Sequence, residues 1–118
     1  MKLRIQGNSL RLRLTQKEIA HLRDRGRLES LIEFSPGQEL VYLLEGSFQA
    51  KSVDAAFDGQ AIRVTVPAQV MAQWAESDQV GIEASSSAAL QLLIEKDFQC
   101  LHARGEQDLD AYAHPLMS

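Results

Sequence analysis

Leu10-Arg11-Leu12-Arg13-Leu14, followed at once by Thr15-Gln16-Lys17-Glu18, decides the fold. Strict alternation of leucine with arginine is the period-2 signature of a half-buried strand: leucines to one face, guanidinium groups to the other. The four residues after it form a capping box. The Thr15 hydroxyl accepts from an orphan amide of a helix's first turn, and the Glu18 carboxylate reaches back to the Thr15 amide. A short helix follows, with Ile19 and Leu22 as its apolar stripe and Gly26 as a left-handed stop. The stretch thus predicts a strand that turns directly into a helix.

Working outward, Leu3 and Ile5 alternate with Lys2, Arg4 and Gln6, and Gly7-Asn8 supplies turn chemistry, so residues 2–14 read as a hairpin. Residues 28–34 read as a strand, Ser35-Pro36-Gly37 as a turn, and Leu40 to Leu44 as a strand buried on nearly both faces. Residues 48–57 read as a weaker strand anchored by Phe48, Val53 and Phe57. Asp58-Gly59 is a hairpin signal of the type I′ kind. Ile62, Val64 and Val66 then alternate with Arg63 and Thr65, and Pro67 suits the first position of a second helix. Val70, Met71 and Trp74 form that helix's buried stripe, with Trp74 and, earlier, Tyr42 reading as core. Val80 and Ile82 open another strand, Ser85-Ser86-Ser87 is a loop, and residues 89–95 make the last strand.

The order strand–helix–strand–strand occurs twice. A shift of 52 residues sets Leu10, Leu12 and Leu14 on Ile62, Val64 and Val66, Arg11 on Arg63, Ala20 on Ala72, Leu22 on Trp74, Leu28 on Val80 and Leu40 on Leu92. Each half is too small to cover both sides of its own sheet, and two halves about a pseudo-twofold axis solve that by forming a barrel or a sandwich. The expectation is an α+β fold: a mostly antiparallel β-barrel or sandwich of two similar strand–helix–strand–strand halves, with two short helices. One domain spans residues 1–104, with pseudo-repeats at about 2–46 and 47–98, and residues 105–118 form an acidic tail.

The 118 residues suffice for one domain with a core of its own. A single cysteine, Cys100, excludes an internal disulfide framework. With neither an apolar leader nor a run of ~20 apolar residues, the sequence predicts a soluble, cytoplasmic protein away from membranes. Net charge is −4, yet residues 1–27 hold Lys2, Arg4, Arg11, Arg13, Lys17, Arg23, Arg25 and Arg27 against only Glu18 and Asp24. Such asymmetry marks either a face for an anionic partner or two segments that neutralise each other on folding.

Three constellations carry possible chemistry. Arg4, Arg11 and Arg13 project from one hairpin face, and with Lys2 and Lys17 they offer an anion- or partner-binding surface. The competing reading pairs them across strands with Glu29, Glu33 or Glu45. Cys100, His102, Asp108 and Asp110, with His114 beyond, offer thiol, imidazole and carboxylate ligands for a metal. Their spacing matches no established ligand pattern, and a small packed thiol beside a polar tail accounts for them equally. Glu83, Glu95 and Asp97 are the third, a possible carboxylate pair against solvated strand acids. No nucleophile elbow, phosphate-binding glycine loop or dinucleotide fingerprint occurs, so no catalytic residue and no cofactor is assigned.

Gly7-Asn8-Ser9-Leu10-Arg11-Leu12-Arg13-Leu14-Thr15, Trp74-Ala75-x-x-Asp78-Gln79-Val80-Gly81-Ile82 and Glu95-Lys96-Asp97-Phe98-Gln99-Cys100-Leu101 together resemble a family of small bacterial proteins, a domain of unknown function. The resemblance runs nearly full length and implies no activity. Relatives finish with an acidic stretch, an aromatic and Asn-Pro; here Tyr112 is followed by Ala113-His114-Pro115. Gly7-Asn8-Ser9 through Leu22, and Arg63-Val64-Thr65-Val66-Pro67 through Ile82, are also similar to the AbrB/MazE type of swapped-hairpin DNA-binding proteins. There one such unit dimerises to build a barrel, so the resemblance implies two units doing so within one chain. Fold likeness alone carries no function.

The reading that results is a non-catalytic interaction module that binds a protein or a small ligand. The alternatives are a nucleic-acid-binding or antitoxin-like regulator using the basic N-terminal hairpin, and a metal-dependent enzyme using the C-terminal cluster.

Overall fold

A computed structural model describes residues 1–86 and 88–97. The chain runs β1 (Lys2–Gln6), β2 (Ser9–Leu14), α1 (Gln16–Arg25), β3 (Arg27–Ser35), β4 (Gln38–Ser47), β5 (Asp54–Phe57), β6 (Ala61–Pro67), α2 (Ala68–Glu76), β7 (Gly81–Ser85) and β8 (Gln91–Lys96). The strands form two four-stranded sheets, β1-β2-β8-β7 (sheet A) and β3-β4-β6-β5 (sheet B). Hairpin pairs are antiparallel; the two central pairs, β2 with β8 and β4 with β6, are parallel.

Each sheet takes two strands from the first half of the chain and two from the second. Advancing the strand numbers of sheet A by four around the eight reproduces the order of sheet B. Neither half can therefore complete a sheet alone. Parallel pairing needs a long crossover: between β2 and β8 the chain builds the whole of sheet B, and between β4 and β6 it runs out through residues 48–60, with β5 among them, and returns to the same sheet.

The expected closed barrel is not what forms. Among the described residues no ladder joins a strand of one sheet to a strand of the other, and β1, β7, β3 and β5 remain edges. Both sheets nevertheless share one core. Leu10, Leu12 and Leu14 of β2 meet Tyr42 and Leu44 of β4, Val64 and Val66 of β6, and Leu92 and Ile94 of β8. Ile19 and Leu22 of α1 and Met71 and Trp74 of α2 complete it. The alternation read at residues 10–14 holds, with each leucine buried and each arginine half-exposed.

Local chemistry sets the joints. The capping box forms, with Glu18 N–H donating to Thr15 Oγ1 at 3.2 Å and Thr15 N–H to Glu18 Oε1 at 2.9 Å. Gly26 ends α1 at φ +78°, a left-handed conformation favouring glycine. The α2 start differs from expectation: Pro67 closes β6 and occupies the cap position, with no side-chain cap. Trp74 is fully buried, its Nε1–H donating to Val80 O at 3.2 Å. Tyr42 donates its hydroxyl to Met1 O at 2.8 Å.

Several finer expectations fail for identifiable reasons. The strand expected at residues 48–57 shrinks to β5, because the Ser47 hydroxyl accepts from the amides of Gln49 and Ala50 and turns the chain there. Phe48 and Phe57, expected as anchors, are 97% and 65% exposed. The Asp58-Gly59 turn is not type I′, since only Gly59 has positive φ. Asp58 keeps its backbone in the ordinary region, and its carboxylate accepts from the amides of Gln60 and Ala61. Those amide bonds hold its carboxyl below the ordinary range.

The single 52-residue shift also breaks. Leu12 corresponds to Val64, but their strand partners Ile94 and Leu44 lie only 50 residues apart. Tyr42, not Leu40, is the counterpart of Leu92. In the same way Ile82, not Val80, is the counterpart of Leu28, and Val80 is exposed. At the shorter shift Leu43-Leu44-Glu45-Gly46-Ser47-Phe48-Gln49-Ala50 aligns with Leu93-Ile94-Glu95-Lys96-Asp97-Phe98-Gln99-Cys100. This is a closer match than any the uniform shift finds.

Candidate functional site

The outer face of sheet A collects the basic residues read from the sequence. In register, Lys2, Arg13 and Glu95 form one rung, and Arg4, Arg11, Leu93 and Glu83 the next. Arg4, Arg11 and Arg13 are thus brought together as expected. Lys17 is not with them: it stands exposed on α1.

The counter-ions are not Glu29, Glu33 or Glu45. Glu95 of β8 accepts from Arg13 Nε and Nη2 at 3.2 and 3.0 Å, and Arg11 Nε lies 3.6 Å from the same carboxylate oxygen. Lys2 sits 3.4 Å from Asp97. Glu95 and Asp97 therefore act as counter-ions, not as an acid–base pair. Glu45 instead lies 3.5 Å from Arg63, and Glu29 binds Arg27 at 3.0 Å. The pairs Arg11–Glu95 and Arg63–Glu45 occupy corresponding places in the two sheets, each joining the two halves of the chain. Sequence reading aligned the arginines but set Glu45 against the wrong arginines and Glu95 in a carboxylate pair, because the 52-residue shift does not align the two glutamates. The 43–50 against 93–100 match was the signal.

Two clefts flank the helix pair. The larger, about 1220 Å³, is lined by Thr15, Lys17, Ala20 and Arg23 of the α1 side, by Ala75, Ser77 and Asp78 at the end of α2, and by Lys96 and Asp97 at the end of β8. Lys96 is already held, donating to Ser77 O at 2.6 Å with its ammonium 5.8 Å from the centre of the Trp74 ring. The smaller, about 510 Å³, has Leu22 and Met71 as its floor, Ala68, Ala72 and Ala75 as its wall, and Gly26, Gly46 and the exposed Phe48 around it, with Arg23, Gln69 and Glu76 as its polar lining. Its size suits a small ligand or a few apolar side chains. A Cβ on Gly46 would stand 3.0 Å from Met71 Sδ, so glycine is what lets the methionine lie against β4. Neither cleft was foreseen, since each is assembled from segments distant in sequence.

At the start of α1 the N-terminal ammonium of Met1 forms a partly buried ion pair with Glu18. Partial burial pushes the Glu18 carboxyl up. The ammonium and the Thr15 amide and hydroxyl outweigh that and hold it below its ordinary value of 4.5.

The expected metal ligands Cys100, His102, Asp108 and Asp110 lie outside the described residues, as does His114. Among the described residues no group of three or more His, Cys, Asp or Glu side chains is placed to hold a metal ion, and no helix is long and apolar enough to cross a membrane.

Two interleaved four-stranded sheets around one core, with paired helices and two clefts beside them, define a small α+β domain. The chain belongs to a family described as a family of unknown function (DUF7009), whose profile matches residues 1–116. No curated protein and no solved structure matches it.

Proposed function

We propose that this domain is a non-catalytic interaction module whose binding site is the apolar cleft between α1, α2 and the end of β4. The observation that carries the reading is the contrast in exposure there. Leu22 and Met71 form a buried floor, three alanines leave it open, and Phe48 stands 97% exposed beside it. An aromatic ring in water at the mouth of an apolar cleft is poised to close over an apolar group. The occupant is an apolar small molecule or an apolar side chain of a protein partner. A single cysteine suits work in the reducing bacterial cytoplasm. The matched strand orders and the 43–50 against 93–100 alignment support a duplicated unit interleaved with itself, as the resemblance to swapped-hairpin proteins implies.

The test is a two-dimensional amide NMR spectrum of the labelled protein against a set of apolar aromatic fragments. Shifts clustered at Leu22, Gly46, Met71 and Ala72 support the site. Ala72→Trp, which fills the cleft from an exposed position, removes them. Shifts elsewhere only, or shifts that survive Ala72→Trp, sink the reading.

The anionic-partner alternative draws on the four cations of the outer face of sheet A, opposed there by three carboxylates, Glu83, Glu95 and Asp97. With Arg11 and Arg13 drawn to Glu95, retention on heparin is expected to be weak and lost at modest salt.

A further inference from the structure

We propose that the chain associates with a second copy of itself by strand addition, edge strand β1 of one copy pairing with edge strand β3 of the other. This goes beyond the cleft reading and does not depend on it.

Both strands end their sheets, so each presents an unpaired row of backbone donors and acceptors. β3 is the long one, nine residues against five for β1, and it carries Leu31, Ile32 and Phe34 at 55%, 39% and 70% exposure. β1 carries Ile5 at 61%. A long edge with this much apolar surface invites strand addition.

Charge says which strand is added. In β3, Glu33 lies directly opposite Glu39 of β4; in β1, Arg4 lies directly opposite Arg11 of β2. Like charges in register destabilise a ladder. Among the described residues neither Glu33 nor Arg4 has an ion-pair partner within 4 Å. β1 against a second β1 would gather more cations, and β3 against a second β3 could meet Glu33 only with Arg27, which Glu29 already holds at 3.0 Å. β1 against β3 resolves both like-charge rungs. β1 therefore rejects its own kind, and β3 gains an unengaged cation only from β1.

The alternation agrees. Ile5 and Ile32 belong to the core-side faces of their sheets, Arg4 and Glu33 to the outer faces. An antiparallel register that sets Ile5 beside Ile32 of a second copy also sets Arg4 beside its Glu33. A one-residue slip puts Ile5 against Glu33 in one direction and Arg4 against Ile32 in the other, so the faces enforce the register.

The experiment is sedimentation velocity on the full chain over a range of concentrations at low salt. The expected result for wild type is concentration-dependent association weakened by added salt. Arg4→Glu alone and Glu33→Lys alone each weaken it by at least about tenfold. Mixing the two variants restores it, because one of the two contacts is then re-paired and the other is native. Both substitutions lie at exposed positions, and an unchanged circular dichroism spectrum confirms folding. In a Cys100→Ser background, Ile5→Cys mixed with Ile32→Cys gives an oxidised dimer. A monomer at every concentration overturns the proposal. So does association indifferent to both charge variants, or a disulfide that forms only when both cysteines are in one chain.

Discussion

The two clefts occupy corresponding places beside the helix pair, yet the larger gathers Lys17, Arg23, Asp78, Lys96 and Asp97 while the smaller is mostly apolar, with Arg23 and Glu76 as its charged lining. Gln16, Lys17 and Ala20 of α1 stand where Ala68, Gln69 and Ala72 stand on α2, and Lys96 of β8 stands where Gly46 of β4 stands. One strand-end position separates them most. Lysine there spans to Ser77 and the face of Trp74; glycine there admits the Met71 thioether and leaves room. The backbone plan is shared, and a few side chains at the rim decide what each cleft can accept. Function in such a domain resides in the departures from its own symmetry.

The strongest probe of that contrast lies in the core beneath it. Leu22 and Trp74 are counterparts, both fully buried. Trp74→Ala is expected to cost about 3–5 kcal/mol and Leu22→Ala about 2–5 kcal/mol. Tryptophan sits at the upper end because Val80 O also loses its donor. Urea unfolding measures both. If the two halves fold as one unit, both variants shift the midpoint at constant slope. A biphasic curve for either would show that a half can open alone, which the shared sheets argue against.

What the sequence made legible follows from the range of the interactions. The 10–14 alternation, the Thr15–Glu18 box and the Gly26 stop are local, and all three stand in the structure. The partner of β2 is not local: β8 lies some eighty residues away and runs parallel to it, and nothing in a leucine–arginine alternation names it. Glu95 was read as half of a carboxylate pair and not as a counter-ion for the same reason, although Glu45, its counterpart in sheet B, was read as a partner for arginine. Phe48 was misread because a short apolar-polar pattern reads alike in a strand and in a turn, and the Ser47 hydroxyl decided for the turn.

A second contrast lies at the helix starts. Thr15→Ala is expected to cost about 1 kcal/mol, the usual worth of a lost cap. No equivalent loss exists at α2, where Pro67 offers no side-chain oxygen. The same box makes α1 acid-sensitive. Because the folded Glu18 carboxyl lies below its ordinary value of 4.5, its contribution is fully present above that pH. It is lost as pH falls through the folded value. Stability measured from pH 6 to pH 3 should therefore fall less steeply in Glu18→Gln than in wild type. An equal slope would show that the ammonium and the box are not formed in solution.

The smallest expected effect separates the outer faces of the two sheets. Sheet A sets Lys2, Arg4, Arg11 and Arg13 against Glu83, Glu95 and, just past β8, Asp97; sheet B sets Arg27 and Arg63 against Glu29, Glu33, Glu39, Glu45 and Asp54. Glu95→Gln and Glu45→Gln remove corresponding carboxylates, and each should change stability by no more than about 1 kcal/mol, since the pairs are partly solvated. Their surfaces should respond differently. Glu95→Gln releases Arg11 and Arg13 beside Arg4, so heparin retention should rise to a higher eluting salt. Glu45→Gln releases only Arg63 among acids, so retention should stay as in wild type. An equal rise in both variants would mean that net charge alone governs retention. A rise confined to Glu95→Gln would place the anion-attracting surface on sheet A and identify Glu95 as the group that holds it in check.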